Sequence, residues 1–349
     1  MNRYIVLIAC LAVMTSAGLA PTARATEERQ GPIFAVTEEN DDFATLFLGN
    51  HTDRHYTQGL KLTYLGGDDD LPHWATNMSE ALPRVAIDVD ARNLGYVFGQ
   101  NMYTPADLTN SAPIKTDRPY GGWLYGGMYL QRRGYTGTAE IPVQEDFEMD
   151  LGITGPPSLA EAIQRNFHEL FDPGEIPRGW GHQIKTEPGL LLKYERLWRL
   201  SPNDQSAHYV DLIPHAGAKV GNIEISGDLG ATLRAGWNLP DDFGVQIIDS
   251  PASEGGGITP TSPAFAWYLF GGVDGRAVGH NIFLDGNTFR NSASVDRVPW
   301  VADFSSGFAF RLFRHFELSY TRVVRTHEFV GQQRADIFGS FDAKAMFQF

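Results

Sequence analysis

Asn40, Asp41 and Asp42 stand side by side, with Asp53 and the hydroxyl of Thr57 a short way downstream. Carboxylate, amide and hydroxyl oxygens are hard donors suited to Ca²⁺ or Mg²⁺. No EF-hand spacing is present, so such a site would have to be assembled across two neighbouring strands. The alternative is a solvated lumen or rim, where Asp and Asn are common. His168 forms a second candidate, with Glu169, Asp172 and Glu175 close behind it and Trp180, Gln183 and Glu187 further on. An imidazole near a carboxylate can take a proton from water at neutral pH; an exposed loop histidine, one of ten in the chain, is the plainer reading. Lys115 and Arg118, in Lys115-Thr116-Asp117-Arg118-Pro119-Tyr120-Gly121, offer a point charge and a bidentate fork for phosphate oxygens, or form an ordinary polar loop. A Gly-x-Ser-x-Gly elbow and a His-Glu-x-x-His zinc helix are both missing from the sequence.

The elements that must position these groups are strands. Phe341, Ala343, Ala345, Phe347 and Phe349 fall on one face of the last strand, with Ser340, Asp342, Lys344, Met346 and Gln348 on the other. Leu60, Leu62 and Tyr64 against Lys61 and Thr63 repeat the division, as do Ala231, Leu233, Ala235 and Trp237 against Thr232, Arg234 and Gly236, and Phe316, Leu318 and Tyr320 against Glu317, Ser319 and Thr321. A soluble β-sandwich alternates in the same way. The terminal aromatic, an aromatic content of 12% and the alternation of tight turns with long polar loops favour a membrane barrel. Tight connections are expected at Gly221-Asn222 and Arg314-His315, and long ones over 104–118, 156–187, 238–262 and 286–299, with short turns on one rim and long loops on the other. The spacing predicts an all-β, transmembrane antiparallel barrel of about twelve strands, an even number being favoured in single-chain bacterial barrels. Leu159, Ile163, Phe167 and Leu170 at helical spacing, with Ser158 as a cap, predict a short loop helix over 158–171.

Arg3, the apolar run from Tyr4 to Met14 and the small-residue motif Ala23-Arg24-Ala25 read as a cleaved secretory signal over 1–25, leaving one barrel domain over 26–349. Cys10, the only cysteine, lies within that signal, so the mature chain has no disulfide or thiolate chemistry. Without Arg3 and Arg24 the mature chain has 26 basic against 42 acidic residues, a net of −16, which argues against nucleic acid as a partner. Such a charge would also repel an anionic lipid unless basic groups were concentrated locally or a cation intervened.

At these residues the chain resembles the lipid A 3′-O-deacylase family of Gram-negative outer membranes. The matching pieces are Asn40-Asp41-Asp42, Asp53-Arg54 with Tyr56-Thr57-x-Gly59, Gln100-Asn101-Met102-Tyr103-Thr104-Pro105, Asp117-Arg118-Pro119-Tyr120, Gly155-Pro156, Gln164-x-x-x-His168 and Trp180-x-x-Gln183, followed by Phe270 to Val278 and Asn281 to Phe289. The resemblance implies a twelve-stranded barrel with long extracellular loops, acting as a monomer in the outer membrane on lipid A of lipopolysaccharide. It implies a calcium-dependent esterase that removes the 3′-linked acyloxyacyl chain with His168 as the base on water. Asn40, Asp41 and Thr57 would complete the catalytic set, Asp41 and Glu175 would hold Ca²⁺, and Lys115 and Arg118 would meet lipid A phosphate. A pore or transport barrel and a phospholipase-type esterase are the alternatives.

Overall fold

A strand that alternates apolar and polar residues must have different surroundings on its two faces, because successive side chains leave the pleat in opposite directions. The computed structural model, which describes residues 30–45, 54–136, 141–171, 176–201, 208–248 and 263–347, satisfies this by closing the sheet. The strands are β1 (Ile33–Asn40), β2 (His55–Leu65), β3 (Asp88–Thr104), β4 (Gly121–Thr136), β5 (Ile141–Thr154), β6 (Pro188–Trp198), β7 (Val210–Gly221), β8 (Glu224–Trp237), β9 (Phe265–Asn281), β10 (Trp300–Leu312), β11 (Phe316–Arg325) and β12 (Asp336–Met346). Each pairs antiparallel with its neighbours in sequence, and β1 closes the barrel on β12, Ile33 lying opposite Met346 and Asn40 opposite Gly339. The expected twelve-stranded antiparallel barrel is therefore present. The signal segment, Asp53, Glu175 and Phe349 lie outside the described residues.

The two faces are inverted relative to a soluble protein. Phe34, Leu62, Phe98, Leu229, Leu233 and Phe304 point outward and are exposed, whereas Lys61, Asp150, Arg234, Arg311, Arg325 and Lys344 are buried inside. An apolar belt of this kind is an aggregation hazard in water and matches hydrocarbon in a bilayer. Among the described residues no helix is long and apolar enough to cross a membrane. The buried cations are paired: Arg234 donates to Asp211 at 2.8 and 2.6 Å, and Arg325 to Asp303 at 2.9 and 2.8 Å. Charges removed from water need such close, multiply bonded partners to offset their desolvation.

The loops depart from the expected asymmetry. Connections 41–54, 105–120, 155–187, 282–299 and 326–335 share one rim, but the tight turn after Gly221 lies on that rim too. The connection after β8 lies on the opposite rim with the 313–315 turn, where Phe313 and Arg314 both have positive φ, as a tight hairpin demands. Its first part does not spread over a surface; it enters the lumen. Leu239, Phe243, Val245 and Ile247 are buried there, against residues that include Tyr268, Phe270, Leu197 and Ile213. Asp242 sits between Arg234 and Arg311, its Oδ2 2.6 Å from the latter, and the Ile248 N–H donates to Glu39 Oε1 at 2.6 Å. The buried apolar residues in this segment and the anchoring Asp242 explain why it folds inward.

Among the described residues, three short helices decorate the rims: α1 (His73–Ala81), α2 (Ala160–Phe171) and α3 (Ile282–Asp285). The loop helix predicted over 158–171 is α2, preceded by a separate 3₁₀ turn at Pro156–Ser158.

Candidate active site

At the top of β1, antiparallel register sets Asn40 opposite Gln58. Pairing of β2 with β3 slips between Tyr56 and Gln58, which leaves Thr57 as the extra residue of a bulge. Bulges re-aim side chains, and here the Thr57 hydroxyl comes within 2.6 Å of the Thr104 hydroxyl on β3. Backbone N–H groups hold the neighbouring oxygens: Asp42 donates to Asn40 Oδ1 at 2.8 Å and Arg54 to Asp41 Oδ2 at 2.6 Å. Asp41 and Thr57 are buried, Asn40 half-buried. Asn40, Gln58 and Thr104 all occupy the outward-facing parity of the wall, the face opposite the lumen.

Helix α2 packs on that same outer face, against β3 and β4. Close approach requires Gly122, where a β-carbon would collide with Ser158 Oγ and Ala160 Cβ. Gln100, also outward on β3, donates to the Ser158 carbonyl at 2.5 Å, and Ala160 packs with Met102, Tyr120 and Trp180. One turn on, Gln164 accepts from Trp180 Nε1 at 2.8 Å. Among the described side chains of α2, Ala160, Gln164 and His168, spaced by four, are the ones buried against the barrel, and His168 is 5% exposed. The stripe that betrayed the helix in the sequence points the other way: Leu159, Ile163, Phe167 and Leu170 are all exposed. A helix whose polar face is buried and whose apolar face is exposed is stable where its outer surroundings are lipid.

Of the acids behind His168, Glu169 is exposed, and Asp172 and Glu175 lie outside the described residues. Glu187 does not approach α2; it accepts from Asn222, Asn287 and the N–H groups of Thr288 and Phe289, tying the rim loops together. Lys115 is exposed and lines a cavity of about 230 Å³ with Ile114, Tyr120 and His182. Arg118 is different. It is 1% exposed, bonds Glu328 at 3.0 and 3.4 Å and lies 4.6 Å over the Tyr103 ring on the lumen side. Arg118 lines the same cavity as Lys115, but its charge is already met by Glu328, so a phosphate there would have to share the guanidinium with that carboxylate.

Sequence reasoning also passed over residues that the fold makes prominent. Thr104 and Gln164 lie within quoted motif pieces, and Gln164 precedes His168 by one helical turn, the signal that could have found it. Lys185 and Arg290, far apart in sequence, line an open cleft of about 810 Å³ at the same rim. His55 is clamped by Asp336, 2.7 Å from Nδ1, and Asp117, 3.1 Å from Nε2, which anchors the 105–120 connection. Burial alone would raise the Asp117 pKa, but hydrogen bonds from His55 and from the N–H groups of Ala106 and Arg118 outweigh it and hold it below the usual carboxylate value. The stabilisation is therefore complete above about pH 4 and is lost as pH falls through the lower folded value. Proteolysis within 105–120 is expected to be slow at neutral pH and to quicken only in acid, with Asp117→Asn cut rapidly at both; equal protection of the wild type across that range would refute the anchoring.

The donor chemistry fits a hard cation. Asp41, Asn40, Thr57 and Thr104 offer oxygen alone, the type Ca²⁺ prefers. A family model described as outer membrane protein LpxR matches residues 6–347. No curated protein matches the chain. Among solved structures, LpxR from Salmonella typhimurium aligns with a TM-score of 0.70 at 21% identity, covering 90% of this chain and 100% of that one. The beta domain of the Bordetella autotransporter Brka aligns with a TM-score of 0.41 at 11% identity, covering 92% and 100%.

Proposed function

The chain belongs to the LpxR family of outer membrane proteins, and on that premise we propose that it is an outer-membrane esterase removing the 3′-linked acyloxyacyl chain of lipid A. The observation that carries this reading is the orientation of α2, which buries Gln164 and His168 against the outer wall that also bears Asn40 and Thr104. A catalytic base between helix and wall would meet an acyl ester entering sideways from the outer leaflet.

In this reading His168 takes a proton from the attacking water and returns it to the leaving sugar hydroxyl. Gln164, bonded to Trp180, keeps α2 in register so that the imidazole stays against the wall. Asn40 and the Thr57 hydroxyl orient water and substrate. Asp41, with Glu175 from the segment after α2, would hold a calcium ion, which when bound supplies positive charge for the ester carbonyl oxygen. Lys115 faces solvent at the same rim and is the residue proposed for lipid A phosphate.

The test is mass spectrometry of lipid A and phospholipids from cells expressing the chain. Loss of one acyloxyacyl unit from lipid A, prevented by a calcium chelator, is the expected result. Unchanged lipid A with cleaved phospholipid would replace the substrate assignment, and no cleavage of either would overturn the enzyme.

A further inference from the structure

We propose that the barrel lumen holds one divalent cation of the Zn²⁺ or Mn²⁺ class, bound by Glu195, His215 and Asp228 with Asp274 supporting the imidazole. These residues come from four adjacent strands, β6 to β9, and all face inward. Register places them in two neighbouring rows. In one, Glu195 lies opposite Gly217 and Gly217 opposite Asp228; in the next, His215 lies opposite Gly230 and Gly230 opposite Asp274. Each row has a glycine at its centre. A β-carbon at Gly217 would strike Glu195 Oε2 and Asp228 Oδ1, and one at Gly230 would strike His215 Nε2. The glycines thus clear the space into which the acids and the imidazole lean, and one ligand atom from each of Glu195, His215 and Asp228 lies within 4.8 Å of the others.

What sets this cluster apart from the rest of the lumen is the lack of a lysine or arginine at hydrogen-bond distance from its acids. Elsewhere buried acids are met closely: Asp303 by Arg325 at 2.8 Å, Glu317 by Arg311 at 2.6 Å, Glu148 by Lys61 at 3.2 Å. Here Asp228 Oδ2, on a residue only 9% exposed, and Asp274 Oδ1, on one 5% exposed, are buried with no hydrogen-bond partner among the described residues, as is Glu195 Oε1. The nearest basic groups are engaged more closely with other acids, Lys219 with Glu224 at 3.4 Å and Arg276 with Asp303 at 3.0 Å, Arg276 Nε standing 3.9 Å from Asp274 Oδ1. Like-charged carboxylates crowded together out of water repel unless a cation joins them. Asp274 Oδ2 lies 3.1 Å from His215 Nε2, the carboxylate–imidazole contact that fixes the tautomer of metal-bound histidines. Carboxylate oxygens with one imidazole nitrogen suit Zn²⁺ or Mn²⁺, whereas the all-oxygen set at the rim suits Ca²⁺. The bound ion would staple four strands across the lumen, on the opposite face of the wall from the ester site.

The test uses the full mature barrel, refolded in detergent, stripped with chelator, loaded with Zn²⁺, Mn²⁺ or Ca²⁺ alone and desalted before metal analysis. The expected result is one Zn²⁺ or Mn²⁺ retained per chain by the wild type and by Asp41→Asn. Asp228→Asn and Glu195→Gln should each weaken binding at least about 100-fold and abolish the metal-dependent rise in melting temperature. X-ray absorption on the Zn²⁺-loaded wild type, which needs no variant, should show a mixed nitrogen and oxygen shell near 2.0–2.2 Å. No retained metal, retention unaffected by Asp228→Asn and Glu195→Gln, or retention lost in Asp41→Asn would each overturn the lumenal site.

Discussion

His168→Ala is expected to slow ester cleavage about 1,000-fold, within the range usual for loss of a general acid–base group, with little change in KM. The barrel should be unaffected. The helix is held by Ala160 against Met102 and Trp180, by the Gln164–Trp180 hydrogen bond and by Gln100 on the Ser158 carbonyl, none of which involves the imidazole. Turnover of lipid A by the purified variant, alongside the heat-dependent gel mobility that reports a closed barrel, separates chemistry from folding. Activity within tenfold of the wild type in a folded barrel would remove His168 from the mechanism. His168→Gln, which keeps volume and hydrogen bonding but not basicity, should be as slow as alanine.

The second large effect concerns the lumen. Asp242→Ala should cost about 3–5 kcal/mol of stability, the penalty usual when one partner of a buried charge pair is removed. Asp242 is 1% exposed and serves two cations, Arg234 and Arg311, so its loss leaves both with less compensation in a closed interior. It also tethers the inward segment 238–248. Freed from that anchor, Phe243, Val245 and Ile247 would still seek burial, but the segment would be left to weaker ties, among them Ile248 on Glu39, Gln246 on Thr63 and Arg234 on the Pro240 carbonyl. Urea unfolding in detergent measures the first consequence and planar-bilayer conductance the second: a silent wild type and a leaky variant are expected. A wild type that conducts ions steadily would restore the pore reading, and a variant as stable as its parent would show that Arg234 and Arg311 are satisfied by Asp211 and Glu317 alone.

Much of the barrel was legible before any coordinates. Alternation puts Lys61, Arg234, Glu317 and Asp342 on the face opposite their apolar neighbours, and each is buried in the lumen. Period 2 is a local property of the pleat, so the face of a residue follows from its neighbours in sequence. The tight turn at Arg314-His315 and the helix after Gly155-Pro156 were legible for the same reason. The rim on which a loop emerges was harder, because it depends on counting every strand before it. The polar, proline- and glycine-rich composition of 238–262 suggests an outer loop, whereas the first residues of that connection fill the lumen.

The sequence by itself determined the fold class, the alternation of faces and the residue types available to a site: Asn40, Asp41 and Thr57 on consecutive strands, and His168 on a helix. Tertiary structure decided which face of the wall each group meets. It set α2 with His168 inward and its apolar stripe outward, since a helical repeat defines two sides without saying which solvent each will face. It placed Arg118 on Glu328, and it assembled Glu195, His215, Asp228 and Asp274 around two glycines. Those outcomes depend on register between strands, and register is a relation between distant segments that no local pattern contains.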